Sequence, residues 1–422
     1  MWWQYIDWLL YVIACAISFA LFWSAWKFWR EERYKSTKKL IPWVFLEIKV
    51  PREVLKGPKA MEQFFQALSK LANRPATFLK HYWDGEVTRW TVIDVIGRNN
   101  EVRFFMRTSY RYAAAVEGLL YSNYPEIEIN TTTDPLLDFP DSYQELKDNG
   151  YEIFGNELYQ TASKIISIRT YNEFEQEHGD EKGRIIDPFA VLLELIGGLQ
   201  PSEMLLMQYV LVPDTHEEHW AHMYEEQLES LRNTTQQLGT DKEGNPQYRF
   251  RFRTPGEEGV IKRLEEKREK GSFEAYIRYL YVSPKEIYNY NVGYRGIQTF
   301  FNQFQHDYQS LERNLGVQTK GEWYYFPWVF PNKRLHWKRV AFYDEIIHRF
   351  LPEETFAGKL YNSYFWQWCF WHKFVLLSAE EMATLFHIPT NVVLTQSTME
   401  RIESKRLPSP TNLPGTEVPP HQ

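Results

Sequence analysis

The sequence predicts an α+β protein in which an N-terminal transmembrane helix precedes two α/β sandwich units and an aromatic-rich C-terminal segment. Three observations carry this reading. The stretch WLLYVIACAISFALFWSAWKFW, from Trp8 to Trp29, holds one charge, Lys27. Downstream, strands of period-two alternation and helices with apolar residues at helical spacing follow in the order β-α-β-β-α-β, and a similar order is then repeated. Of the 16 Trp residues, six fall in the first 29 positions and six between Trp323 and Trp371, a clustering that points to boundaries with lipid or a partner.

The first apolar stretch is long enough, at about 1.5 Å per residue, to cross a bilayer core of about 30 Å. Trp2, Trp3, Tyr5 and Trp8 flank one end and Trp23, Trp26 and Trp29 the other, where amphipathic rings favour an interface. Lys27, Arg30, Arg33, Lys35, Lys38 and Lys39 follow it, whereas Asp7 is the one charge before it. That bias predicts a single-pass protein of the inner, cytoplasmic membrane, with its N-terminus outside and its body in the cytoplasm. The plain alternative is a buried core helix. A cleaved signal peptide fits poorly, because the basic start and small-residue cleavage site are missing.

After a basic linker at 31–40, PWVFLEIKVP alternates as a strand, with Val44, Leu46, Ile48 and Val50 on one face. GPKAMEQFFQALSKLA places Met61, Phe64, Phe65, Leu68 and Leu71 on one helical face, with Pro58 suited to the first turn. WTVIDVIG and EVRFFMRTS, joined at Arg98-Asn99-Asn100, predict a hairpin; YRYAAAVEGLLYSNYP predicts a helix and EIEINTTT a strand. The resulting order over 41–133 is the split βαβ, or ferredoxin-like, arrangement. A turn-rich linker is expected at 134–162. A second ferredoxin-like unit is expected at 163–310, from KIISIRTY as a strand, IDPFAVLLELIGGL as a helix, SEMLLMQYVLVP as a strand, a charged helix ended by Gly271 and a strand from Phe273 to Val282. A polar insertion at 214–255 interrupts it. An aromatic and basic segment at 311–375, a closing helix-strand motif at 376–393 and a proline-rich tail at 394–422 complete the chain.

Composition excludes several classes. The 422 residues carry a net charge of -7, from 48 basic and 55 acidic side chains, so nothing global suits a coat on nucleic acid. Two cysteines, Cys15 and Cys369, provide neither a disulfide framework nor a cysteine zinc site. HEEHWAH sets His216, His219 and His222 at i,i+3 spacing, imaginable as a metal site; HExxH is absent, and a solvated helix face is the simpler reading, so no metal and no cofactor are expected. Arg249, Arg251 and Arg253 alternate with Tyr248, Phe250 and Phe252, a pattern that suits a nucleic acid backbone or anionic lipid; the alternative is a strand with an aromatic inner and a basic outer face. WYYFPWVFPNKRLHWKRV sets Lys333, Arg334, Lys338 and Arg339 among rings, which suits a membrane surface or an amphipathic segment packed on the body. GxxxxGK[ST], GxSxG and GxGxxG do not occur. No catalytic residues are proposed, and the chain is not expected to be an enzyme.

In LLSAEEMATLFHIP, Ser378 is a cap, Met382, Leu385 and Phe386 an apolar face, Pro389 the stop and His387 a partner for the helix C-terminus. Together with EVRFFMRTSYRYAAAVEGLLYSNYPEIEI, this motif resembles the membrane-anchored N-terminal region of type IV secretion coupling-protein-like ATPases of conjugative DNA transfer. The resemblance covers roughly residues 5 to 414 and implies a motor after a connector like TMERIESKRLPSPTNLP. With no P-loop in the chain, that ATPase is expected on a separate polypeptide. The expectation is then a non-catalytic, membrane-anchored component of a bacterial DNA-translocation or conjugation-like secretion apparatus, with the lipid bilayer and the motor as partners and a homo-oligomer as a further state. Met382, Leu385 and Phe386, with Met399, Arg401, Ile402, Lys405 and Arg406 from the tail, are the expected partner contacts. The alternative is a membrane-anchored ligand- or peptide-binding module with tandem α/β sensory units.

Overall fold

The computed structural model describes residues 2–51, 56–71, 79–80, 83, 86–178, 187–213, 217–232, 235–240, 246–250, 254–306, 308–320, 328–351 and 372–389. Helix α1 (Trp2–Lys39) comes first, then β1 (Trp43–Lys49), α2 (Pro58–Ser69), β2 (Thr91–Arg98), β3 (Glu101–Ser109), α3 (Tyr110–Asn123) and β4 (Glu128–Thr132). There follow α4 (Tyr143–Asp148), β5 (Tyr151–Gln160), α5 (Tyr171–His178), α6 (Ala190–Gly197), β6 (Met204–Pro213) and α7 (Glu217–Arg232). A two-stranded excursion, β7 (Thr235–Thr240) and β8 (Pro246–Phe250), leads to α8 (Pro255–Glu269), β9 (Ser272–Pro284), α9 (Ile297–Asn302), β10 (Leu311–Arg313), α10 (Pro331–Ile347), β11 (Val375–Ser378) and α11 (Ala379–Leu385).

The main strands form one nine-stranded antiparallel sheet in the order β10-β5-β9-β6-β2-β3-β1-β4, with β11 also pairing β9. Each half repeats one permutation: β4-β1-β3-β2 on one side and β10-β5-β9-β6 on the other. The halves meet along β2 and β6, whose pairing runs from Thr91↔Leu211 to Arg98↔Met204. This corrects the expected architecture. One continuous sheet stands where two separate sandwiches were predicted, because the second strand of each half presents an edge that the other half completes.

The transmembrane expectation is overturned as well: among the described residues, no helix is long and apolar enough to cross a membrane. The single-pass topology and the inner-membrane location built on that span fall with it.

Two further differences are local. KIISIRTY is not a strand; it runs through a turn in which Ile166 N–H donates to Ser163 O at 3.0 Å. The strand beside it is β5, read beforehand as part of the linker. The β2–β3 turn is as its residues dictate: Asn99 and Asn100 both adopt left-handed φ, 53° and 64°, the backbone of a two-residue hairpin turn.

Helices cover both faces of the sheet. On the first, Phe64 and Phe65 of α2, Val116 and Leu120 of α3, Leu192 and Ile196 of α6, Phe300 and Phe301 of α9 and Met382 of α11 join Ile93, Met106, Met207 and Ile277 in one core. On the second, α4 supplies Tyr143 and Leu146, and α10 supplies Phe342, Tyr343, Ile346 and Ile347. A smaller cluster on the second face, around Trp90, Val92, Val210 and Val212, is separate from this one.

Candidate functional site

The closing motif is built into the body. β11 extends the sheet by pairing β9 from Val375↔Ala275 to Ser378↔Ser272, and α11 starts at once behind it. Ser378 and Glu381 form a reciprocal capping box: Ser378 N–H donates to Glu381 Oε2 at 2.8 Å and Glu381 N–H to Ser378 Oγ at 3.3 Å. Glu381 also accepts from Ile168 N–H at 2.9 Å. Its counter-ion is Lys267 of α8, with Nζ 2.9 Å from Oε2, both side chains buried. Lys267 Nζ donates besides to Leu376 O at 2.7 Å and Lys164 O at 3.0 Å, so all three ammonium protons have partners. Burial pulls the Lys267 pKa below its ordinary value, against the opposing pull of Glu381.

Neighbouring contacts extend this anchor. Glu380 accepts from Asn172 Nδ2 at 2.6 Å and is paired with Lys270, which also lies 2.9 Å from Glu62. Burial lowers the Lys270 pKa, but Glu380 and Glu62 outweigh it and the net shift is upward. His387, fully buried, donates from Nδ1 to Ala383 O and from Nε2 to Asp187 Oδ1, each at 2.9 Å. Burial disfavours its charge, yet Asp187 prevails and the pKa is raised. With both ring nitrogens engaged, His387 has none to activate a nucleophile. Gly271 is required here, since a Cβ on it would lie 2.0 Å from Ser69 Oγ.

A second polar feature crosses the second face. Asp94 of β2, Gln208 of β6, Arg278 of β9 and Glu157 of β5 are direct cross-strand neighbours, all buried. Gln208 Nε2 donates to Asp94 Oδ1 at 3.0 Å, and Arg278 Nη2 donates to Gln208 Oε1 at 2.6 Å. Arg349, just past α10, binds Asp94 at 2.5 Å and Asp134 at 2.7 Å. At the other end, His372 lies 2.8 Å from Glu157 and 3.2 Å from Glu345. Burial disfavours the His372 cation, but Glu345 and Glu157 push its pKa up to about 10. The row is an ionic lattice in which Arg278, bonded through Nη2, leaves Nε and Nη1 buried without a hydrogen-bond partner among the described residues.

A surface cleft of about 400 Å³ lies beside α4, with buried Leu146, Met204 and Val282 in its floor and exposed Arg98, Asp138 and Glu145 at its rim. No charged side chain in its lining is buried, so nothing fixed stands ready to recognise a ligand.

The expected site residues disperse. Met382, Leu385 and Phe386 are fully buried, Phe386 lying 6.0 Å from the Phe104 ring and 6.2 Å from that of Phe189. They are core, and cannot serve as partner anchors, because the apolar face of α11 is spent on its own chain. Arg334 and Lys338, expected at a surface, are 4% and 6% exposed. Lys338 donates to Leu315 O at 3.4 Å, and Arg339 is 2.8 Å from Glu152. Lys333 alone of the four is exposed, its Nζ 5.4 Å from the Phe330 centroid. His222 is exposed on α7; His216 and the side chain of His219 lie outside the described residues, among which no group of His, Cys, Asp and Glu is placed to hold a metal. The Arg249 side chain, Arg251, Arg253, Met399, Arg401, Ile402, Lys405 and Arg406 also lie outside the described residues. Lys267 and the polar row were missed, although the row announces itself as single polar residues inside VIDVI, LLMQYVL and AYIRYLY.

No family model and no curated protein matches the chain.

Proposed function

We propose that this chain is a non-catalytic adaptor of a DNA-translocation or conjugation-like secretion apparatus, and that it holds an ATPase motor carried on another polypeptide. The observation that supports it best is the fixing of the closing motif. β11 adds to β9, and Glu381 ties α11 to α8 through a buried, fully hydrogen-bonded ion pair. A connector leaving such a helix departs from a rigid point, and force on it passes into the shared sheet rather than into a frayed end. The adaptor's contacts with the motor are then made by the connector, through Met399 and Ile402 as apolar anchors and Arg401, Lys405 and Arg406 as a basic rim, while Met382, Leu385 and Phe386 hold the base.

The test is co-purification of the full chain with a P-loop ATPase from a neighbouring reading frame, beside a chain truncated after Val393. The truncated chain should keep its fold by circular dichroism and retain the ATPase several-fold less well. Equal retention would refute the connector's role. ATP turnover by the purified full chain, shown free of contaminating ATPases, would refute the non-catalytic reading.

A further inference from the structure

Helix α1 carries an apolar surface that the rest of the described chain leaves uncovered. Its described large apolar side chains from Trp8 to Trp23, the rings of Trp8, Tyr11, Phe19, Phe22 and Trp23 among them, are 45% to 73% exposed, and none of the four core clusters includes a residue of α1. At about 150 to 250 Å² for a whole aromatic side chain, these five rings expose on the order of 500 Å². The exposed aliphatic side chains Leu10, Val12, Ile13, Ile17 and Leu21 bring the surface to about 800 Å². Monomers rarely leave contiguous apolar patches above about 300 to 600 Å², whereas a stable interface buries about 800 Å² per partner.

This surface is patterned. Leu10, Ile13, Ile17, Ala20 and Ser24 follow one another at steps of three and four residues along one side of the helix, and Trp8, Val12, Cys15, Phe19 and Phe22 do the same along the opposite side. Alternating steps of three and four residues are what seats one helix in another. Ser24 Oγ donates to Ala20 O at 2.8 Å, so its hydroxyl needs no water once it is covered. A lipid surface imposes no such register, and among the described residues no helix is long and apolar enough to cross a membrane. Another copy of α1 offers the same length, the same two seams and the area that each copy leaves open.

We propose that α1 is an assembly device: copies of this chain associate through a bundle of their α1 helices, each helix meeting two neighbours, one along the Leu10–Ile13–Ile17 seam and one along the Val12–Cys15–Phe19 seam. Two seams on opposite sides of one helix exceed what a pair of chains can cover, so the assembly holds more than two copies. The body, from β1 onward, is a passenger on this bundle, because its own cores are complete without α1. This inference does not rest on the adaptor role.

Light scattering coupled to size-exclusion chromatography of the full chain in detergent-free buffer tests it. The unaltered chain should give one discrete mass above twice the 50.6 kDa of a single copy. The double variant Ile13→Glu, Ile17→Glu breaks one seam and Phe19→Glu the other, and each should lower the mass to two copies or one while the unfolding midpoint of the body stays where it was. A single-copy mass for the unaltered chain, a mass that climbs continuously with concentration, or a mass that either variant leaves unmoved would overturn the proposal. So would a chain that stays in solution with detergent alone, or one that leaves its assembly to float with phosphatidylcholine vesicles, since lipid would then be the occupant of both seams.

Discussion

Replacing Lys267 by methionine isolates the buried ion pair that fastens α11. The ammonium donates to Glu381, Leu376 O and Lys164 O, and methionine fills much the same volume with no donor. Glu381 keeps its bonds from Ser378 N–H and Ile168 N–H but becomes a buried carboxylate without its counter-ion. Breaking one side of such a pair typically costs about 3 to 5 kcal/mol. The two carbonyls add little to that range, since Gln160 Nε2 stays within 3.4 Å of Lys164 O and 3.5 Å of Leu376 O. The expected loss is thus about 3 to 5 kcal/mol in guanidinium unfolding followed by far-ultraviolet circular dichroism. The double variant Lys267→Met, Glu381→Gln should recover part of it, since the uncompensated charge is gone, although the amide keeps an acceptor for only one of the two backbone N–H groups, Ile168 on Oε1 and Ser378 on Oε2. A loss below about 1 kcal/mol in the single variant would refute the reasoning, because it would mean that the pair exchanges with water and fastens nothing.

Phe65→Ala should cost about 3 to 5 kcal/mol in the same assay, the range for an aromatic removed from a core; Phe65 is fully buried and meets Phe273 edge-on at 6.1 Å. An unchanged unfolding midpoint would mean that α2 does not face the sheet. His372 predicts a pH dependence. Its folded pKa is raised from 6.5 to about 10, so its contribution is fully present below about pH 6.5 and is lost as pH rises to about 10. Glu345 and Glu157 flank its ring nitrogens, and Tyr276 meets the ring edge-on at 6.5 Å. The difference in unfolding free energy between the unaltered chain and His372→Gln should therefore narrow across that window, and a constant difference would refute the assignment.

Local periodicity made part of the fold legible. The apolar face of α2, the Asn-Asn turn and the Ser378 cap follow from spacing and turn chemistry acting within a few residues. The joining of β2 to β6 was not legible, because pairing between strands more than 100 residues apart leaves no local mark. β5 was hidden by Gly155 and Asn156, which punctuate it like a turn; there, in fact, the glycine makes room for Phe342 and Asn156 caps Glu157 N–H at 2.8 Å. KIISIRTY misled because Ile165 and Ile168 are both buried, but in different clusters, so their alternation serves two cores instead of two faces of a strand. Likewise the motif read as a docking face was apolar because it is core. Solitary Asp94, Gln208 and Arg278 in otherwise apolar strands were visible, and a polar residue in such a setting calls for a partner.

The seam between β2 and β6 bears on how the chain is made. Translation at about 5 to 20 residues per second delivers β4 several seconds before β6 is complete at Pro213. Until then the first four strands can assemble, but β2, whose residues Thr91–Gly97 are all buried in the finished molecule, has one unpaired edge. That nascent half is a template for misplaced strands, and its safest course is to wait for its own second half or for a chaperone. The last stitch comes later still, when β11 reaches β9 across about ninety residues of intervening chain, and until then the Ser272–Ala275 end of β9 has one edge unpaired.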